Sequence, residues 1–216
     1  MKHGSQPNAR TLLSYEEAAD AYSRAQPSET PETLLSFLDD FARLVPGDGA
    51  VLEIGSATGT DADLLEARGL QVQRTDAVDA FVNRLRDRGK SALELNVLHD
   101  DLGGPWAGIY ANAVFLHLDV EDLKGVLVKA AAAAEEGGIL GFSLKEGEGA
   151  AWTTEKLGHP RHFTYWREPA LRALIGTSPW ELIALKSVVT PTNTWLQCLC
   201  RKSAQDRTSF SQTSRR

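Results

Sequence analysis

A chain of 216 residues with 42% hydrophobic residues and five Trp is long enough to bury one sizeable core and leaves little room for a second domain. Its formal net charge of -6 argues against a broad phosphate-binding face, which needs clustered Lys and Arg, so nucleic acid is not an expected partner. No apolar run approaches the roughly 20 residues of a membrane span and no signal-peptide core follows Met1, so the chain reads as cytoplasmic and without a membrane partner.

Residues 1–10 and 203–216 are polar, lack an apolar period and read as flexible tails on one domain spanning 11–202. A helical cap over about 11–46 ends in a helix on which Leu34, Leu35, Leu38, Phe41, Ala42 and Val45 recur at helical spacing before the breakers at Pro46 to Gly49. Strand and helix then alternate. Ala50 to Ile54 is a strand, Asp61 to Arg68 a helix closed by Gly69, Leu70 to Thr75 a strand, and Asp79 to Arg88 a helix closed by Gly89. Ala92 to Leu95 and Ala107 to Asn112 are further strands. Val120 to Glu135 is an Ala-rich helix that Gly137 and Gly138 break before the fully apolar strand Ile139 to Leu144. Residues 145–166 read as an irregular substrate loop, followed by a helix from Glu168 to Ile175. Trp180 to Val189 and Thr194 to Arg201 form a closing antiparallel hairpin. The fold expected is α/β: a doubly wound, mostly parallel seven-stranded sheet with helices on both faces.

The cysteines, Cys198 and Cys200, are two apart and share one face of a strand, which fits core packing. No Cys-x-x-Cys or further ligand set accompanies them, and no metal is expected.

The loop Gly55-Ser-Ala-Thr-Gly59 between a strand and a helix lets the backbone turn tightly and approach a ligand. Ligands of open α/β sheets bind at the carboxyl ends of the strands, which makes this turn the floor of a pocket. Asp76 ends the second strand, 21 residues beyond Gly55, where a carboxylate can accept from both hydroxyls of a ribose. Together they point to an adenosine-containing ligand; a tight turn without a ligand is the plainer alternative.

At this point the chain, from about Tyr15 to Arg201, resembles the class I S-adenosylmethionine-dependent methyltransferases of small molecules. Glu53-Ile-Gly55-Ser-Ala-Thr-Gly59 is similar to that family's acidic, glycine-rich first motif, and Thr75-Asp76-Ala77 to its ribose-binding acid. Asn96-Val97 resembles the pair beside the adenine, Asn112-Ala113 the turn under the methionine part, and Glu136-Gly137-Gly138 the lead into the fifth strand. The resemblance implies S-adenosyl-L-methionine as cofactor and S-adenosyl-L-homocysteine as product. Gly55, Ala57 and Gly59 would then line it with backbone, Glu53 would orient the loop or the ammonium group, and Tyr22 would cover it. Two positions depart from the pattern: Asn96 stands where Asp is commoner, and Ala107 where an acid often opens the fourth strand.

Methyl transfer from a sulfonium is an in-line displacement, so positioning comes first and a base helps where the nucleophile carries a proton. The candidate bases are His117, after the fourth strand, and His162. Lys145, His159, Arg161, Tyr165 and Trp166 are candidate contacts to a small-molecule substrate, in a segment whose rings can wall an apolar molecule and whose cations can read its polar groups. The equally plain readings are packing for His117 and anchoring of the loop for its aromatics. A nicotinamide-dependent oxidoreductase is an alternative, weakened because no third glycine stands near Asp61 and no Tyr-x-x-x-Lys pair occurs. A non-catalytic adenosyl-binding module is another. A role in specialised metabolism, as a monomer or homodimer, completes the expectation.

Overall fold

The structure, a computed structural model, describes residues 6–27, 29–47 and 49–204. Three N-terminal helices, α1 (Gln6–Glu17), α2 (Ala19–Arg24) and α3 (Glu32–Leu44), precede β1 (Ala50–Ile54). Then come α4 (Thr60–Glu66), β2 (Gln71–Asp76), α5 (Asp79–Asp87), β3 (Ala92–Glu94), β4 (Trp106–Ala111), α6 (Val120–Ala133) and β5 (Ala134–Lys145). β6 (Ala150–Thr153), β7 (Arg161–Thr164), α7 (Glu168–Gly176), β8 (Trp180–Val189) and β9 (Thr194–Lys202) complete the chain. Among the described residues, no helix is long and apolar enough to cross a membrane.

The seven-stranded sheet runs β3-β2-β1-β4-β5-β9-β8, parallel as far as β5 and antiparallel from there. The chain winds outward from β1 through β2 to β3 and returns to β4 on the other side of β1. The carboxyl ends of β1 and β4 therefore flank the point where the winding reverses, and a crevice opens there.

Both faces of the sheet are covered. On one, α3 lays Phe37, Leu38 and Phe41 against Val51, Tyr110 and Ile139. That helix lies so close that a Cβ on Gly141 would stand 2.7 Å from Phe41 Cδ2, and one on Gly108 2.9 Å from Phe41 Cζ. On the other face α6 and α7 pack Leu123, Leu127, Leu171 and Ile175 against Ile109, Leu140 and Phe142, with Cys198 and Cys200 in the same cluster.

Three segments differ from the sequence reading. Residues 6–10, expected in a flexible tail, are the first turns of α1. That helix presents polar Asn8, Thr11 and Ser14 inward, where the Ser14 hydroxyl donates to Pro160 O at 2.6 Å and the His162 N–H donates to Thr11 Oγ1 at 3.0 Å. A buried face held by hydrogen bonds leaves no apolar period to read. Gly137 and Gly138 do not precede β5 but lie inside it: Trp106 pairs with Ala134, Gly108 with Ile139, and the extra residues form a bulge with Gly137 at φ 74. The segment 145–166 contains the hairpin β6–β7, whose register sets Ala151 against Phe163 and Trp152 against His162. All four residues of β7 are buried, so the alternation that marks a strand is missing. The tails at 1–5 and 205–216 lie outside the described residues.

Candidate active site

The loop after β1 is built by conformations that few side chains accept. Gly55, Ala57 and Gly59 have φ of 75, 45 and 79, and the Gly55 and Ser56 N–H groups donate to Thr75 O at 2.8 and 2.9 Å. A Cβ on Gly55 would overlap Val114 Cγ2, so close approach and left-handed φ both require glycine there. Gly59 serves differently from the expectation. It caps α4 in the left-handed region with Leu85 against it, and is not among the residues that line the crevice.

Asp76 ties this loop to the end of β2. Its Oδ2 accepts the Ala57 N–H at 2.8 Å and its Oδ1 the Val78 N–H at 2.9 Å, the Ala77 N–H adds a third donor, and the carboxylate lines the cavity as an acceptor. Burial lifts its pKa to about 6 against the pull of those N–H donors.

Asn112 is fixed from two sides: its Nδ2 donates to Asp61 Oδ2 at 2.9 Å and its Oδ1 accepts the Ser143 hydroxyl at 2.6 Å. Ser143 Oγ in turn accepts the Ala113 N–H at 2.9 Å. Glu53 is buried beside them, accepts a short hydrogen bond from the Ser56 hydroxyl, and has its pKa pushed up to about 8 by desolvation. Asp61 is raised too, by burial first.

These groups line two cavities that share Tyr22, Ile54, Gly55, Ala57, Asn112 and Ala113 and so form one trough over the carboxyl ends of β1, β2 and β4. One end holds Asp76, Ala77, Asn96 and Val97 with apolar Val78, Leu95 and Leu118; the other holds Glu53, Ser56 and Asp61. All the expected cofactor residues except Gly59 thus meet in one place. Asn96 Oδ1 accepts the Leu98 N–H at 3.0 Å, a task that an Asp oxygen does equally well, which accounts for the departure at that position. Ala107 is buried in the α3 core and leaves no room for an acid.

Over the trough lies α1, whose residues Asn8, Thr11, Leu12 and Tyr15 line it and were not anticipated. Asn8 belongs to the part of α1 that reads as a tail, whereas Thr11, Leu12 and Tyr15 fall in the expected helical cap, where nothing in the sequence marks them as site residues.

His117 ends a 3-10 turn (Phe115–His117) in the trough wall. Its Nδ1 lies 2.6 Å from the His162 carbonyl oxygen, which only accepts, so the proton sits on Nδ1 and Nε2 accepts the Tyr15 O–H at 2.9 Å. The Tyr15 oxygen accepts from Arg161 Nη1 at 3.2 Å, and Arg161 Nη2 donates to Glu155 O at 2.6 Å. Burial, with the fields of Arg161 and Lys145, depresses the His117 pKa to about 3. The ring is neutral at physiological pH and holds a proton poorly.

The substrate candidates separate. Lys145 and Arg161 face the rings beside the trough, with Lys145 Nζ 4.3 Å from the Phe163 centroid and Arg161 Cζ 5.2 and 5.6 Å from those of Phe163 and Tyr15. The His162 imidazole, by contrast, packs edge-on at 5.3 Å to Trp152 and lines an outer groove with Tyr165 and Trp166. Only the His162 backbone reaches His117. Trp166 is part of the main core, and His159 pins its loop to α1 through Glu17 at 2.9 Å.

Arg161 is 6% exposed, and its hydrogen-bond acceptors are neutral. Two cation–π contacts at about 0.5–2 kcal/mol each offset only part of a desolvation cost of roughly several kcal/mol per ion.

No protein-family model matches the chain, and no curated protein does. Solved structures do match in fold. The 1,6-didemethyltoxoflavin-N1-methyltransferase of Burkholderia thailandensis, with 1,6-didemethyltoxoflavin and S-adenosylhomocysteine bound, superposes with a TM-score of 0.72 at 14% identity over 94% of this chain and 93% of that one. Magnesium protoporphyrin IX methyltransferase from Synechocystis, with S-adenosylmethionine bound, gives 0.70 at 12% identity over 94% and 100%. The CcbJ methyltransferase of Streptomyces caelestis gives 0.69 at 14% over 94% and 100%. The chain therefore has the fold on which these methyltransferases are built.

Proposed function

We propose that this protein is an S-adenosylmethionine-dependent methyltransferase acting on a small molecule. The observation that carries the reading is the distribution of acids along the trough. Asp76 lines the end beside Asn96 and Val97, and Asp61 lines the other end, next to a Glu53 that burial keeps protonated. A ligand with a ribose diol and, some distance away, a cationic amino-acid group matches that pattern. A dinucleotide does not, because Asp61 and Asp63 occupy the first turn of α4, where a pyrophosphate needs an anion-accepting helix end.

S-adenosylmethionine supplies an electrophilic methyl on a sulfonium. The residues of this chain do the rest: Asp76 accepts the ribose hydroxyls, Asn96 and Val97 flank the base, Asn112 and Ala113 shape the turn beneath the amino-acid part, and Tyr22 covers it. Catalysis is chiefly positioning of the acceptor under α1. With its pKa near 3, His117 is suited to orienting Tyr15 rather than to removing a proton from a strongly basic nucleophile.

The test compares S-adenosylhomocysteine with methylthioadenosine, which lacks the amino-acid part, on the wild type and on Asp61→Asn. The substitution is expected to weaken the first ligand at least tenfold and the second less than threefold. Equal losses for both ligands contradict the assignment of the acidic end.

A further inference from the structure

Ion pairs hold several cations of this acidic chain: Arg74 with Asp63 and Glu66, Lys90 with Asp63, Lys186 with Asp40. Three beside the trough lack one. Among the described residues, Lys145, Lys156 and Arg161 have no carboxylate oxygen within 4.0 Å. Arg161 is buried, gives hydrogen bonds only to the neutral oxygens of Tyr15 and Glu155 O, and has its Nε without a partner. Lys145, ending β5, and Arg161, opening β7, both lie on the Phe163 ring, and Lys156 Nζ stands 4.9 Å from the Tyr22 centroid. Tyr15 and Tyr22, the rings that Arg161 and Lys156 approach, line the trough itself. The acid whose field Lys145 feels is Glu155, exposed on the loop.

Like charges drawn together from two strands and a loop repel, and around buried Arg161 and half-buried Lys145 less water is left to screen them. A counter-anion removes the conflict. Arg161 keeps its Nε–H and further N–H groups for an oxyanion, in a fork suited to two acceptor oxygens, and the lysines add mobile point charges. We propose that Lys145, Lys156 and Arg161 receive an anionic group on the methyl acceptor, which is thus a small oxyanion-bearing molecule whose body rests on Tyr15, Tyr22 and Phe163. The proposal rests on the methyltransferase reading for calling that molecule the acceptor. It assigns Lys156 a part that its sequence context did not announce.

The experiment uses the full chain saturated with S-adenosylhomocysteine and titrated with benzoate, phenyl phosphate and neutral benzamide. At least one of the anions is expected to bind ten times more tightly than benzamide. The double variant Lys145→Gln/Lys156→Gln, which replaces no fully buried group, is expected to lose tenfold or more of that affinity with an unchanged circular dichroism spectrum. Benzamide binding as well as the anions, no binding of either anion, or anion affinity unchanged in the variant each overturns the proposal. S-adenosylhomocysteine is titrated first; if it fails to bind, the methyltransferase reading falls, and the same anion titration on the protein alone still decides whether the receptor exists.

Discussion

Tyr15 and His117, 102 positions apart in the chain, share a hydrogen bond of 2.9 Å in which the phenol donates to the imidazole Nε2. It joins the N-terminal helix to the turn after β4, and its direction follows from the tautomer that the His162 carbonyl sets at Nδ1. It also leaves the Tyr15 oxygen as an acceptor facing the trough, with Arg161 on its other side. Replacing Tyr15 by Phe removes the hydroxyl while keeping the ring. The expected result is a fall in methyl transfer of tenfold or more, with affinity for S-adenosylhomocysteine changed less than threefold. Stability should fall by about 1–3 kcal/mol, because the His117 Nε2 and one Arg161 N–H lose their partner in a buried site. Turnover with a methyl acceptor and chemical denaturation check the two halves.

His117 also governs the acid limb of stability. Its folded pKa is near 3 against an ordinary value of 6.5, so the unfolded chain takes up a proton that the folded one refuses. The stability it contributes is complete above pH 6.5 and is lost as pH falls toward 3, amounting to about 2 kcal/mol by pH 5. His117→Asn keeps a side-chain N–H for the His162 carbonyl and does not titrate. Its melting temperature should depend less on pH between 6.5 and 5 than that of the wild type, as thermal unfolding across that range would show.

Glu53 acts in the opposite direction. Its folded pKa of about 8 lies above the ordinary 4.5, so the folded chain holds a proton that the unfolded one releases. That contribution is complete below pH 4.5 and is lost as pH rises through 8. Glu53→Gln, neutral at every pH, should flatten the decline in melting temperature between pH 6 and 8; an unchanged slope would show that the carboxyl is ionised in the folded protein.

Gly141 tests the packing of α3 on the sheet. Its absent Cβ would stand 2.7 Å from the Phe41 ring, so Gly141→Ala should destabilise by about 1–3 kcal/mol through overpacking. Phe41→Leu in the same chain should recover part of that loss in urea unfolding.

What was legible in the sequence follows from where the hydrophobic effect writes its pattern. β1, β4 and the middle of β5 are apolar runs between breakers, and α3 carries its buried Phe37, Leu38 and Phe41 at helical spacing. The turn after β1 was legible for another reason: positive φ favours glycine, and Gly55 and Asp76 stand at chain positions that a βαβ turn brings together. The side of the trough under α1 was not. Its roof, α1, is buried through Thr11 and Ser14 by hydrogen bonds, and β7 is buried on both sides, so neither shows a period. His162 illustrates the limit. Its residue type drew attention to a base, whereas its backbone carbonyl is the group that meets His117.

The central claim is that the trough takes an adenosyl ligand through Asp76. Calorimetric titration of the wild type and of Asp76→Ala with S-adenosylhomocysteine, alongside NADH, tests it most directly. Micromolar binding of S-adenosylhomocysteine alone, weakened at least a hundredfold in the variant, is the predicted result. Binding of NADH in its place, or equal affinity in the two proteins, would contradict it.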